Sequence, residues 1–164
     1  MTLSIRPYAP KDRAHCKKVF YHAVRSGAAD FYSQAQRAAW APSDAPDQLQ
    51  PDKLLDQWCW VAEMENGITG FMSLTPRGYL DMAFVMPEAK GSGVADALYA
   101  ALITQATASG LGTLTVHASH LARRFLAKHG WQEDYAENHT LNGQVIERFH
   151  MSLDLTEVPN DRPL

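Results

Sequence analysis

The chain has 164 residues, 46% of them hydrophobic, with 15 Lys and Arg against 18 Asp and Glu, a net charge of −3. That length and apolar content suit one domain with a sizeable core, expected over residues 1–155 with a loosely attached tail at 156–164. The slight acidity excludes a broad electrostatic attraction to nucleic acid or to an anionic membrane surface, so an anionic ligand must be gripped locally.

In chain order, "LSIRPY" alternates Leu3, Ile5 and Pro7 with polar neighbours and predicts an opening strand halted by Pro7 and Pro10. A helix is expected from Asp12, where Val19, Phe20, Ala23 and Val24 recur at helical spacing before Gly27. "DFYSQAQRAAWAP" predicts a short second helix ending at Pro42, and "SDAPDQLQPDKLLDQ" a proline-punctuated loop with one helical turn. "WCWVAEM" is apolar on both faces, as an interior strand is; "ENG" is a hairpin turn signal, and "ITGFMSLT" pairs back. "GYLDMAFVM" continues the sheet, followed by a helix, the strand "GTLTVHAS", the helix "HLARRFLAKHG" and two last strands joined by "LNG". The order predicts a mixed sheet with helices packed on it.

Cys16 and Cys59 are expected as buried reduced thiols, in a probable helix and a probable strand. The opening "MTLSIRPYAPKDR" turns polar at once and no apolar run approaches a membrane span, so the expectation is a cytoplasmic chain without a membrane partner.

The stretch "FVMPEAKGSGVADALYAAL" joins an apolar run, a turn carrying Gly91 and Gly93, and a helix whose Val94, Ala97, Leu98, Ala101 and Leu102 form one buried face. Main-chain N–H groups at such a junction point outward at the positive end of a helix dipole, an arrangement that holds phosphate. Glycine lets an oxygen approach the backbone, though two glycines also suit a plain flexible turn. No Gly-Lys-Ser or Gly-Lys-Thr ends the turn, which excludes a nucleoside triphosphate loop; a third glycine is absent, which excludes the dinucleotide fingerprint.

Lys90-Gly91-Ser92-Gly93-Val94-Ala95 resembles the Gln/Arg-x-x-Gly-x-Gly/Ala motif of the GNAT N-acetyltransferase superfamily, and the preceding "VMPE" resembles that family's Val-x-Pro-Glu strand end. "ASHLARRFLAKHGW" is similar to the family's second landmark in the penultimate helix, and "YSQAQRAAWAP" to the acceptor-side helix of one bacterial branch. The resemblance covers Leu3 to Leu155. It implies the GNAT fold, an α/β (α+β) architecture with a mixed, mostly antiparallel sheet of six to seven strands, flanked by helices and splayed at its centre.

The resemblance also implies acetyl-CoA as co-substrate and no metal. Main-chain N–H groups from Gly91 through Ala95, including Ser92, Gly93 and Val94, would cradle its pyrophosphate, with Lys90 in place of the family's Gln or Arg. Main-chain groups of Phe84, Val85 and Met86 would hold the pantetheine arm in the central gap. Ser119, where many relatives carry Asn, and Phe125, in the second landmark, complete that side. Tyr32 and Trp40 are expected near the acceptor, an amine of a small molecule or peptide; a homodimer is left open.

Direct attack of an amine on a thioester requires a proton acceptor, a stabilised oxyanion and a donor for the departing thiolate. The family's donor is a tyrosine four residues before the terminal glycine of the penultimate helix, and that count from Gly130 falls on Leu126. Tyr135, His120, Tyr99 and Tyr32 are the substitutes considered, beside departure of the thiolate with no acid. Asp81, a carboxylate within an apolar strand, reads either as the base or as the partner of a structural cation. His117 and His120, lacking a clustered third ligand, make a weak metal pair and read first as ordinary polar residues. A different functional class stays open beside the enzyme: an acyl-CoA-binding sensor that lost its acid at position 126.

Overall fold

The computed structural model describes residues 2–44 and 52–156. The centre of the expected proline-rich loop and the expected tail from residue 157 lie outside the described residues. Seven strands form one sheet: β1 (Ser4–Pro7), β2 (Trp58–Met64), β3 (Gly67–Leu74), β4 (Tyr79–Val85), β5 (Thr113–Ala118), β6 (Gln132–Leu141) and β7 (Gln144–Asp154). Four helices accompany it: α1 (Arg13–His22), α2 (Gln34–Trp40), α3 (Val94–Ala108) and α4 (His120–Lys128). The strand order is β1-β2-β3-β4-β5-β7-β6. Every neighbouring pair is antiparallel except β4 and β5, which α3 joins as a parallel crossover.

The first helix starts one residue later than the sequence pattern suggests, because the Asp12 carboxylate is engaged elsewhere: it accepts the Ala9 N–H and a bidentate bond from Arg6. At its other end α1 widens into a helical turn over Ala23–Gly27. The short α2 is fixed by a reciprocal cap, in which Ser33 Oγ accepts the Gln36 N–H (3.1 Å) and Gln36 Oε1 accepts the Ser33 N–H (2.8 Å). Asn142 and Gly143 both have positive φ, 48° and 81°, the backbone that an Asn-Gly hairpin between β6 and β7 requires.

Alternation along β2 and β3 sends side chains to both sides of the sheet. Val61 and Phe71 pack with Cys16 and Val19 of α1, while Ala62 and Met72 pack with Val94, Leu98 and Leu102 of α3. Helices therefore cover both faces, which explains why "WCWVAEM" has no polar side. Leu98, Leu114 and Leu126 are fully buried, and each such side chain contributes roughly 1.5–3 kcal/mol. Cys16 and Cys59 are both free and buried; burial pushes the Cys59 thiol up to about 12.

Candidate active site

The ladder between β4 and β5 is two pairs long, Tyr79 with Thr115 and Leu80 with Val116. β4 runs on to Val85 and β5 to Ala118, so beyond Leu80 the two strands diverge and a gap opens in the middle of the sheet. Met86 has already left that gap, its N–H bonded to Thr69 on β3.

The glycine turn lies between the end of β4 and α3. Gly91 (φ 77°) and Gly93 (φ 88°) both hold left-handed backbone, and a Cβ on either would meet open space. Glycine is thus needed for conformation as well as approach. The first bond of α3 runs from the Ala97 N–H to the Gly93 carbonyl, and no side chain caps the helix. The N–H groups of Val94, Ala95 and Asp96 therefore start the helix without helical acceptors. Lys90 is exposed. The Ser92 hydroxyl is spent on the Ala89 carbonyl. Asp96 turns from the turn to His129, 3.1 Å away.

On the other side of the sheet the gap opens into a cavity of about 370 Å³. One wall is aromatic: Trp40 meets Tyr32 (5.6 Å between ring centres) and Phe84 (6.1 Å), and Phe20 meets Phe84 (4.9 Å), all edge-to-face. Tyr32 is pinned there, its hydroxyl donating to the Glu147 carbonyl (3.1 Å) and accepting the His120 N–H (2.9 Å) at the start of α4. Burial pushes its phenol above the ordinary range. Ser119 also lines the cavity, but its Oγ caps α4 by accepting the Ala122 N–H (3.1 Å).

The opposite wall is polar. Asp81 is the extra residue of a bulge, since Ser73 pairs with Met82 but Leu74 with Leu80. It lines the cavity with Lys53 at 3.1 Å and Gln57 Nε2 at 2.9 Å. Tyr79 Oη and His117 Nδ1 are 2.8 Å apart. His117 Nε2 is 4.0 Å from Glu137, which Arg148 Nε bonds at 2.6 Å. Tyr79, His117 and Arg148 line the same cavity.

The structure thus brings Tyr32, Trp40, Asp81, Phe84 and Ser119 together around one space. Val85, Met86 and the Lys90–Ala95 segment run from the end of β4 into α3. Phe125 packs edge-to-face on Tyr99 (5.7 Å) between α3 and α4, and Tyr99 accepts the Trp131 indole N–H. Two expected catalytic groups fall elsewhere. Tyr135 is 50% exposed and lies flat on His150, and it is absent from the cavity lining. The His120 side chain is also absent from that lining; it bonds Glu147 (2.9 Å) and stacks on Phe31. Leu126 is buried in the core at 1% exposure. The Tyr79–His117 contact is not legible in the sequence, where His117 reads as an ordinary polar residue or as half of a weak metal pair; a histidine in a strand paired with a tyrosine-bearing neighbour was the available signal. Among the described residues, no cluster of three or more His, Cys, Asp or Glu side chains suits a metal.

The family model described as the acetyltransferase (GNAT) domain matches residues 25–155. The chain is 34% identical over 149 residues to the uncharacterized N-acetyltransferase YafP of Escherichia coli (strain K12), covering 91% of this chain and 94% of that one. A GCN5-related N-acetyltransferase structure from Rhodopseudomonas palustris superposes with a TM-score of 0.85 at 32% identity, covering 94% of this chain and 97% of the other. The structure of yncA from Salmonella typhimurium with its cofactor acetyl-CoA shares the fold at a TM-score of 0.65 and 22% identity, covering 94% and 95%. The chain belongs to the GNAT acetyltransferase family, the acetyl-CoA-dependent N-acyltransferases.

Proposed function

We propose that this chain transfers the acetyl group of acetyl-CoA to a primary amine of a small molecule or peptide by direct attack. The observation that carries this reading is the gap beyond Leu80, with the glycine turn beside it and an amine-sized cavity at its mouth. Free strand edges inside a sheet leave main-chain groups without partners, and an extended pantetheine arm satisfies those of Phe84 and Val85, ending at Met86, whose own N–H is held by Thr69. The N–H groups of Val94 and Ala95, open at the start of α3, receive the pyrophosphate together with the Gly91–Gly93 turn, in which the Ser92 N–H is held by the Ala89 carbonyl. Lys90 adds a cation, and Ser119 and Phe125 border the arm from the α4 side. The acetyl-CoA bound by yncA supports the same co-substrate here.

On the acceptor side, Tyr32 and Trp40 wall in the carbon skeleton and Asp81 draws the ammonium toward the thioester. Tyr135 and His120 are left without a chemical part, since neither side chain lines the cavity. The buried Leu126 in the acid's place suits the alternative, an acyl-CoA sensor, but a sensor has no use for a polar wall facing the cavity at the mouth of the gap. Calorimetric titration with acetyl-CoA and an assay of released CoA across an amine panel test the reading. Binding with turnover on at least one amine supports it, and binding without turnover on any favours the sensor.

A further inference from the structure

Tyr79 opens β4 and His117 lies near the end of β5, so their side chains meet where the β4–β5 ladder stops and the gap begins. A tyrosine–histidine bond sealed in a core would be structural only. This one faces the cavity, so an amine entering beside Asp81 reaches both groups. Asp81 itself already holds Lys53 and Gln57, which suits it to binding charge and leaves proton transfer to another group. The groups facing the imidazole are Tyr79 from β4, Glu137 and His139 from β6, and Arg148 and His150 from β7, the last with its ring centre 5.3 Å away, while Asp81 acts on the Tyr79 phenol.

We propose that Tyr79 and His117 form the proton-accepting pair of acetyl transfer: the Tyr79 oxygen takes a proton from the acceptor's ammonium as its own proton moves to His117 Nδ1, while Nε2 of the same ring faces Glu137. This inference rests on the acetyltransferase reading above. Of three protons on the ammonium nitrogen, the first passes to the pair and on to solvent. The freed lone pair forms the C–N bond at the thioester carbonyl, and the C–S bond breaks with its electrons going to sulfur. The second proton leaves nitrogen as sulfur takes one up, and the third stays on the amide. The resting charge states suit this step. Burial pushes the Tyr79 phenol up, and burial together with Arg148 pushes the His117 imidazole down. Near neutral pH the pair therefore holds a phenol and a neutral ring.

The test compares wild type with Tyr79→Phe, His117→Gln and Asp81→Asn, using acetyl-CoA with 2-phenylethylamine, butylamine and a tripeptide of free N-terminus across roughly pH 5 to 9. CoA release gives kcat and KM, and calorimetry gives acetyl-CoA affinity. Wild-type kcat is expected to fall toward acid with a midpoint below the ordinary histidine value of 6.5. Tyr79→Phe and His117→Gln are each expected to lower kcat about 100-fold with acetyl-CoA affinity kept, and His117→Gln to erase the acid limb. Asp81→Asn is expected to raise the acceptor KM and leave that limb in place. Independently of any acceptor, nitrogen NMR of labelled histidine should find His117 protonated on Nε2 and bare at Nδ1. A proton on Nδ1, full kcat in folded Tyr79→Phe and His117→Gln, or an acid limb that vanishes with Asp81→Asn instead would overturn the proposal. Wild type that binds acetyl-CoA but acetylates none of the probes overturns the acetyltransferase reading, and the proton pair with it.

Discussion

Two polar clusters sit in the sheet, and they differ in what they leave unused. Near the β1 edge, Asp12 accepts Arg6 Nη1 (2.8 Å), Arg6 Nη2 (2.9 Å) and the Ala9 N–H (2.8 Å), while Arg6 Nε bonds Glu63 (3.0 Å). Asp12 is 2% exposed, and both of its oxygens are taken by Arg6 and the Ala9 N–H. At the central cavity, Tyr79, His117, Glu137 and Arg148 are also linked, yet Tyr79, His117 and Arg148 border a space large enough for a small molecule. A closed cluster stabilises the fold; an open one has somewhere to send a proton. Burial of polar groups alone does not mark a site, and a saturated bidentate pair is the sign of a structural one.

The comparison breaks most visibly at Asp12. Asp12→Asn should cost about 3 kcal/mol of unfolding free energy in urea melts, because Arg6 loses its bidentate carboxylate and keeps only Glu63, while acceptor KM stays unchanged in the folded fraction. Arg6 holds the Asp12 carboxyl below its ordinary value near 3.8. Its contribution is therefore complete above that pH and drains away as pH falls through the lower folded-state value. The substitution should flatten the acid end of the stability profile. At the open cluster the outcome inverts: Asp81→Asn should leave urea stability nearly unchanged but raise acceptor KM about tenfold, the loss of roughly 1.4 kcal/mol of charge attraction. A large stability loss there would mean that Lys53, Gln57 and Asp81 form a second closed cluster.

Smaller effects sharpen the contrast. Lys90→Ala should weaken acetyl-CoA binding only about threefold by calorimetry, since main-chain donors carry the phosphate grip and the lysine is exposed. Loss of all binding would assign that grip to the side chain. The faintest signal concerns His117, whose imidazole is pushed below 6.5 by burial. As pH falls through 6.5 the unfolded chain takes up a proton before the folded one does, so stability declines toward acid in the window just below that value. His117→Gln should remove this part of the decline in thermal melts, where Asp12→Asn should not.

The sequence by itself determined the element order, the glycine turn and the family, because these rest on local patterns: helical spacing in Val94 to Leu102, two-sided apolarity in "WCWVAEM", turn residues at "ENG" and "LNG". It also pointed to Tyr32 and Trp40 as acceptor-side residues and to Asp81 as a base or the partner of a structural cation, and the three line one cavity. It could not place Tyr135 or His120 relative to the cavity, since a register shift at Asp134 and a helix cap at Ser119 govern where those residues lie. Nor could it find that Asp81 stands at a bulge, or that Tyr79 and His117 touch. They lie 38 positions apart in the chain, and their meeting depends on β4 and β5 pairing at two residues and then parting. Local pattern fixes which face a side chain takes. The register of a parallel crossover, which fixes its neighbour, depends on how α3 packs over the face of β2 and β3, a long-range contact that no local pattern encodes.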